Sequence, residues 1–406
     1  MVLDDRGLGM QKQTILLFVA NYLPGYKGGG PVRSIANLVA ALGDEVHFMI
    51  ATLDRDLGDK VPYPGILRNQ WVRVGYADVM YLRPGWRGLV DGFALLRSVD
   101  EKTVVYLNSY FSRRVSMLAV LMCWMQLCRP QKVVLAPRGE FSPGALASKR
   151  RRKLLYIAVS HWMKLHGGIS WHASSELEAA DIRRHYPGSQ NIGIAPVIPG
   201  STRTHAPGAT DSLATPRRRK KSGGLRVVFV ARISPMKNLS GALMMLNGIE
   251  GDILFDIYGP AEDRSYWESC QKLIVALPAN VRVRFCGPIE HEQVASVFAE
   301  HELFLFPTLG ESYGHVICES LAAGCPVMIS DQTPWRDLEK HGAGWAIPLR
   351  ETERFRSTLQ QVVDADEEWY AALSVGAMRY AKRVTAAPEI IQANRRLFEY
   401  APVFAR

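Results

Sequence analysis

The sequence predicts an α/β chain with two Rossmann-like domains, each built on a doubly wound parallel sheet. Three observations predict it. Short apolar runs of strand length alternate with longer amphipathic stretches, which is the pattern of βαβ units. The alternation stops over Pro199 to Gly224, which is rich in Pro, Thr, Ser, Gly and Arg and has no apolar periodicity, and then it restarts. The 406 residues, 48% of them hydrophobic, suffice for two or three packed cores.

In the first half, strands are expected at Thr14–Ala20, Val46–Ala51, Val79–Leu82, Val104–Leu107, Val133–Ala136, Ile169–His172 and Ile192–Ala195. Helices such as Val32–Leu42, Arg113–Cys128 and Ala147–Leu165 fall between them. Residues 1–198 thus read as one domain and 199–224 as an exposed linker. Residues 225–386 read as a second domain with strands at Leu225–Ala231, Ile253–Tyr258, Val281–Cys286, Leu303–Phe306 and Val327–Ser330. Its helices are expected at Leu239–Asn247, Tyr266–Leu277, Glu292–Glu300, His315–Ala323 and Thr352–Val363. In such sheets ligands bind beyond the carboxyl ends of the strands, so the loops after strands hold the candidate chemistry.

Composition narrows the function classes. Six cysteines (Cys123, Cys128, Cys270, Cys286, Cys318, Cys325) form no CxxC pair and no zinc-spaced cluster, which fits ordinary buried thiols in a reducing compartment. The polar start and the short apolar run Ile15 to Ala20 do not resemble a secretion signal. The longest apolar stretch, Val115 to Leu127, is too short to span a bilayer. A cytoplasmic location is therefore expected. Charge is unevenly divided: net +10 over residues 1–200, +5 over 201–224 and −5 over the remainder. Such asymmetry directs the first half toward something anionic, whether a membrane surface, a phosphorylated acceptor or nucleic acid.

Two segments of the second half concentrate chemistry-bearing residues. In Ala231-Arg232-Ile233-Ser234-Pro235-Met236-Lys237-Asn238, two cations lie on a strand-to-helix turn, where a helix N-terminus already favours anions such as a diphosphate. The second segment runs from Pro307 to Val327. Glu311 falls in a loop and Glu319 in the following helix, with Tyr313-Gly314-His315 at the helix start, where amides lack intrahelical partners. Gly314 admits close approach of a ligand to the backbone, and carboxylates there can accept protons from sugar hydroxyls.

The Glu-x7-Glu spacing of Glu311 and Glu319, flanked by Gly-Glu-Ser-Tyr-Gly and Ala-Ala-Gly-Cys-Pro-Val, resembles the glycogen synthase-like retaining transferases, family 4 of the glycosyltransferases. Val-Ala-Arg-Ile-Ser-Pro-Met-Lys-Asn is similar to that family's Gly-Arg-Leu-x-x-x-Lys-Asn segment, with Ala231 in place of the common Gly. The resemblance is strongest from about residue 225 to 348. It implies a GT-B fold: an N-terminal acceptor domain, a C-terminal nucleotide-sugar donor domain, a cleft between them, and a final segment (387–406) packing back on the first domain.

The resemblance also implies roles. Arg232 and Lys237 would neutralise the donor diphosphate, Glu311 would hold the donor sugar and Glu319 the ribose hydroxyls. Backbone amides of Ser312, Tyr313, Gly314, His315 and Val316 would assist, and Gly287, Pro288 and Ile289 would meet the nucleobase. Lys27-Gly28-Gly29-Gly30-Pro31 lacks the spacing of a dinucleotide or Walker loop. The family implies that Gly29 and Gly30 let backbone approach the diphosphate. Arg138, in Pro137-Arg138-Gly139-Glu140, stands where relatives often carry a histidine near the donor sugar, while Glu140 reads as structural.

Asp54-Arg55-Asp56 matches the metal-binding DxD signature of the other main transferase fold, but a three-residue match arises easily by chance, and no metal or cofactor is expected. The run Lys149-Arg150-Arg151-Arg152-Lys153 beside Leu154 to Ile157 could dock a helix on anionic lipid or form a solvated basic face. The expected reaction moves a sugar from a nucleotide-sugar donor to a glycan or lipid-diphosphate-linked acceptor, with retention and without metal. Family habit places it in bacterial surface-polysaccharide assembly at the inner membrane face. A nucleotide-sugar 2-epimerase and a sugar-binding protein without catalysis share the architecture. Nucleic-acid binding would suit the charge, but basic residues are not interleaved with aromatics as it requires.

Overall fold

The computed structural model describes residues 12–112, 116–200 and 220–399. The chain divides into two units, one from residues 1–141, 149–200 and 388–406, the other from 142–148 and 201–387.

The first unit is an eight-stranded sheet: β1 (Gln13–Phe18), β2 (Val46–Leu53), β3 (Trp71–Val74), β4 (Ala77–Leu82), β5 (Val104–Asn108), β6 (Lys132–Ala136), β7 (Ser170–Ala173) and β8 (Ile192–Ile194). Their order is β3-β4-β2-β1-β5-β6-β7-β8, parallel throughout except where β3 runs against β4. Covered on both faces, the central strands read as unbroken apolar runs; every residue of β5 is buried. The accompanying helices are α1 (Gly30–Leu42), α2 (Trp86–Arg97), α3 (Ser116–Trp124), α5 (Arg150–Trp162) and α6 (Glu176–His185); the short α4 (Pro143–Ala147) groups with the second unit.

The second unit carries six parallel strands: β9 (Gly224–Val230), β10 (Asp252–Tyr258), β11 (Val281–Gly287), β12 (Leu303–Phe306), β13 (Val327–Ser330) and β14 (Gly344–Ile347), in the order β11-β10-β9-β12-β13-β14. Helices α7 (Leu239–Leu246), α8 (Arg264–Val275), α9 (His291–Ala299), α10 (His315–Ala322), α11 (Thr352–Asp364) and α12 (Glu367–Thr385) surround it, and α13 (Pro388–Arg396) belongs to the first unit. There Arg395 pairs with Glu45 at 2.6 Å, and the Asn394 amide donates to the Pro196 carbonyl at 2.7 Å. Both sheets reverse their winding at one place, between β1 and β5 in the first and between β9 and β12 in the second. Ligands of such sheets bind in a crevice at this switch point, beyond the carboxyl ends of the strands.

Several expectations needed correction. The single helix expected over Ala147–Leu165 is two, because Lys149 adopts a left-handed conformation (φ 54°) and opens α5 afresh. The helix expected over Arg113–Cys128 is described from Ser116 and ends at Trp124; residues 113–115 lie outside the described set. Most of the expected linker, 201–219, also lies outside it. At its end Lys221 to Gly223 are exposed, but Lys220 is buried, its ammonium donating to the carbonyls of Lys221, Gly224, Val363 and Ala365.

Candidate functional site

At the crevice of the second sheet, the loops after β9 and β12 are stitched together. After β9 the chain passes Arg232 and makes a tight turn of 3₁₀ type, Pro235–Lys237. Asn238 then adopts a left-handed conformation, and its Oδ1 caps α7 by accepting from the Gly241 amide at 3.1 Å. Its Nδ2 donates to the Pro307 carbonyl at 2.8 Å, which reaches the loop after β12. Leu309 N and Thr308 Oγ1 both donate to the Met236 carbonyl, at 2.8 and 3.1 Å. The Glu311 amide donates to the Gln332 carbonyl at 3.0 Å, which ties in the loop after β13.

This lacing brings Lys237 and Glu311, 74 residues apart, into an ion pair whose side chains are only 18% and 13% exposed. The Lys237 ammonium also lies 5.7 Å from the centre of the Phe306 ring. Arg232 pairs instead with Glu262 at 3.0 Å, and both side chains are nearly half exposed. An exposed pair of this kind contributes little and exchanges readily, so Arg232 can turn to another anion. Ala231 N donates to the Tyr258 carbonyl and Gly259 N to the Gly287 carbonyl. The same carboxyl edge therefore carries Gly287, Pro288 and Ile289. Gly259 (φ 137°) has no alternative there, since a Cβ would lie 1.9 Å from the Ala231 oxygen.

Helix α10 begins beside this cluster. Gly314 (φ 79°) precedes it, and a Cβ at that position would press on Ile317 at 2.8 Å. A helix start directs its first amides outward, and here these belong to His315 and Val316. Tyr313 departs from the simplest reading: its ring is buried against His315 and Trp335, and its carbonyl accepts from the Trp335 indole. Only its backbone can serve a ligand. Ser312 and Glu319 are half-buried, and Glu319 lies near Cys318 and Tyr313, whose protonated forms it favours.

In the first unit, Gly29 (φ 65°) precedes α1 and Gly30 opens it, after the β1 loop. Asp56 holds this loop by accepting from the Tyr26 and Lys27 amides at 2.8 and 3.0 Å. Asp54 is fully buried and pairs with Arg55 and Arg68, each at 2.8 Å. Both aspartates of the DxD match are thus committed to protein partners. Arg138 follows β6 in a left-handed conformation (φ 57°). Its Nε donates to Asn108 Oδ1 and its Nη2 to Tyr106 Oη, both at 2.7 Å. Glu140 accepts from Ser109 Oγ and from the Tyr110 and Phe111 amides, and its burial raises its pKa.

The cysteines are not uniformly buried: Cys286 is exposed and Cys123 is half-buried, its sulfur 3.1 Å from that of Cys128. A cavity of about 310 Å³ opens at the opposite, amino ends of β6 and β8, around Lys132, Asn191 and Leu397, away from the loops after β1 and β6. No group of three metal-ligating side chains occurs among the described residues. No helix among the described residues is long and apolar enough to cross a membrane. Sequence reasoning did not single out Glu262, Tyr106, Asn108 and His172. None lies in a recognisable spacing, and each is found only through a partner at least 30 residues away.

Residues 214–384 match the family described as "Glycosyl transferases group 1". A D-inositol 3-phosphate glycosyltransferase of Corynebacterium efficiens is 28% identical over 169 residues, 38% of this chain and 38% of that protein. The match therefore spans well under two thirds of the relative. Sucrose-phosphate synthase from Thermosynechococcus elongatus superposes with a TM-score of 0.71 at 18% identity, covering 95% of this chain and 99% of that one. Anabaena HepE in complex with UDP-glucose superposes with a TM-score of 0.66 at 14% identity, covering 95% and 98%. These likenesses establish the GT-B fold.

Proposed function

We propose that this chain, a glycosyltransferase-family-4-like protein of the GT-B fold, transfers a sugar from a nucleotide-sugar donor to a glycan or lipid-linked acceptor with retention of anomeric configuration. The observation that carries the reading is the juxtaposition of Lys237 and Glu311 at the crevice of the second sheet, with Arg232 on the same loop. As a nucleoside diphosphate leaves the anomeric carbon, negative charge grows on the departing oxygen while the sugar becomes oxocarbenium-like. Arg232, Lys237 and the amides opening α10 stabilise that charge without a metal. Glu311 holds the donor sugar and Glu319 the ribose hydroxyls. Gly287, Pro288 and Ile289 meet the base through backbone, and Ser312, Tyr313, Gly314, His315 and Val316 contribute main-chain contacts. Gly29, Gly30 and Arg138 are the substrate-facing residues of the first unit. With no side chain proposed as a covalent nucleophile, the acceptor attacks the face the diphosphate leaves and gives its proton to the departing phosphate oxygen.

The acceptor side of the proposal rests on α5. Its first turns carry Arg150 to Lys153, and Leu155, Val159 and Trp162 follow at spacings of four and three, which puts them on one helix face. Leu155 is 65% and Trp162 82% exposed. Cations beside exposed apolar and aromatic groups suit the headgroup region of an anionic bilayer, so the enzyme works peripherally at the cytoplasmic face on surface-polysaccharide precursors.

A panel of nucleotide sugars tests the chemistry. One donor should raise the unfolding temperature and be consumed, and NMR of the product should show the donor's anomeric configuration. An inverted product would overturn retention, and no response to any nucleotide sugar would overturn the reading as a whole.

A further inference from the structure

Arg138 ends a buried chain of hydrogen bonds whose polarity is set by a single carbonyl. His172 is 1% exposed, and its Nε2 lies 2.8 Å from the Ala195 carbonyl, which can only accept. Nε2 therefore carries the proton, and Nδ1 is left as an acceptor. Tyr106 Oη, 2.7 Å away, donates to it and turns a lone pair toward Arg138 Nη2, also at 2.7 Å. Burial keeps both groups neutral: it lowers the His172 pKa to about 3 and raises that of Tyr106 to about 12. Asn108, the other partner of Arg138, is neutral as well.

The guanidinium is thus held rigidly by two neutral hydrogen-bond partners. No carboxylate among the described residues pairs with it. Nε and Nη2 share one edge of the guanidinium, and Asn108 and Tyr106 take that edge. Of its five N–H donors, three remain, including one on Nη1 and one on Nη2 that form the second edge. Such an edge matches the two oxygens of a carboxylate or phosphate. The loop is pinned on both sides, by Gly139 N donating to Glu178 and by the three donors to Glu140. Arg138 is half-exposed, at the carboxyl end of β6, and adopts a backbone conformation uncommon for a non-glycine residue. Stapling β5 to the β6 loop would not by itself require a cation with a second donor edge left over.

We propose that Arg138 recognises an oxyanion on the substrate, a carboxylate or phosphate borne by one of the two sugars, with Tyr106 and His172 as positioning residues. This rests on the transferase reading above. The oxyanion has two possible sources, a carboxylated donor sugar or a phosphorylated acceptor, and paired probes distinguish them. Calorimetric titration of the full-length protein would compare UDP-glucose with UDP-glucuronate and GDP-mannose with GDP-mannuronate. Titration of glucose against glucose 6-phosphate, in the presence of UDP, forms the acceptor arm.

The anionic member of one pair should bind roughly tenfold or more tightly, the scale of a charge-assisted pair. Arg138→Gln should bring that ratio close to one. Arg138→Lys should not restore it, because an ammonium cannot present two parallel donors. Tyr106→Phe should narrow the ratio while the unfolding temperature shows the fold intact, an effect that a purely structural hydroxyl would not have. Binding of a nucleotide sugar with no anion preference in any pair would overturn this inference alone. Failure of every nucleotide sugar to bind would overturn it together with the function proposed above.

Discussion

The Lys237–Glu311 pair allows catalysis to be separated from stability, because the two roles predict different responses to one double substitution. Replacing Lys237 with Ala strands a carboxylate that is 13% exposed. Breaking a fully buried pair costs ~3–5 kcal/mol. Residual solvent contact on both partners reduces this to about 1–3 kcal/mol. For a unit of this size that corresponds to a fall of about 3–10 °C in unfolding temperature. Turnover should fall by about 10²–10³, the usual consequence of losing one preorganised donor to a developing anion. Adding Glu311→Gln removes the stranded charge, so Lys237→Ala/Glu311→Gln should regain most of the lost stability and none of the turnover. Arg232→Ala is the control: its pair with Glu262 is exposed and worth at most about 1 kcal/mol. Turnover should fall there with the unfolding temperature nearly unchanged. The assay is donor consumption at saturating acceptor, beside thermal unfolding of the same samples. If Glu311→Gln restored turnover to the Lys237 variant along with stability, the pair would be structural and the diphosphate assignment would fail.

Two further outcomes follow from the first unit. Co-sedimentation with vesicles should rise with the fraction of anionic lipid and fall with salt, and Leu155→Ser/Trp162→Ser should weaken it at every composition; equal binding to neutral vesicles would remove the membrane proposal. The second outcome concerns acid. Burial lowers the pKa of His166 to about 4 and of His172 to about 3, below the ordinary value near 6.5. The unfolded chain therefore takes up protons first, so stability present above pH ~6.5 is lost as pH falls toward 4 and 3, at up to ~1.4 kcal/mol per pH unit for each proton. Denaturant midpoints between pH 7 and 4 should show this slope, and His166→Phe, which keeps the stacking on Trp171 and Tyr110, should flatten it. Equal slopes in both proteins would place the acid sensitivity elsewhere.

What the sequence disclosed depended on how far apart the cooperating residues lie along the chain. Strands β12 and β13 were legible to the residue, because each is fully buried and apolar but for Ser330, and each follows or precedes a proline. β3 was not. Its four residues, Trp71 to Val74, are only partly buried and include Arg73, and its antiparallel pairing with β4 rather than any apolar run defines it. β14 was missed because its first residue, Gly344, is a poor strand former, placed there by backbone crowding against Val327. The break at Lys149 has no proline or glycine to announce it.

The candidate site divides in the same way. Gly310 to Glu319 is continuous in sequence, so its turn, helix start and carboxylates could be read together. Arg138 could be read only as a cation in a loop, because its partners lie on β5, β7 and the segment after β8, as far as Ala195. A hydrogen-bond chain of that kind has no sequence period. It exists only once the parallel register sets Asn108 opposite Ala136 and Ala173 opposite Ile194 and brings these residues to one edge of the sheet. Residues that recur within one helix or one loop therefore declare their chemistry early. Residues assembled across a parallel sheet declare it only through the fold, and the proposed anion recognition at Arg138, where the second kind of assembly ends in a cation held by neutral partners, is the place to test it.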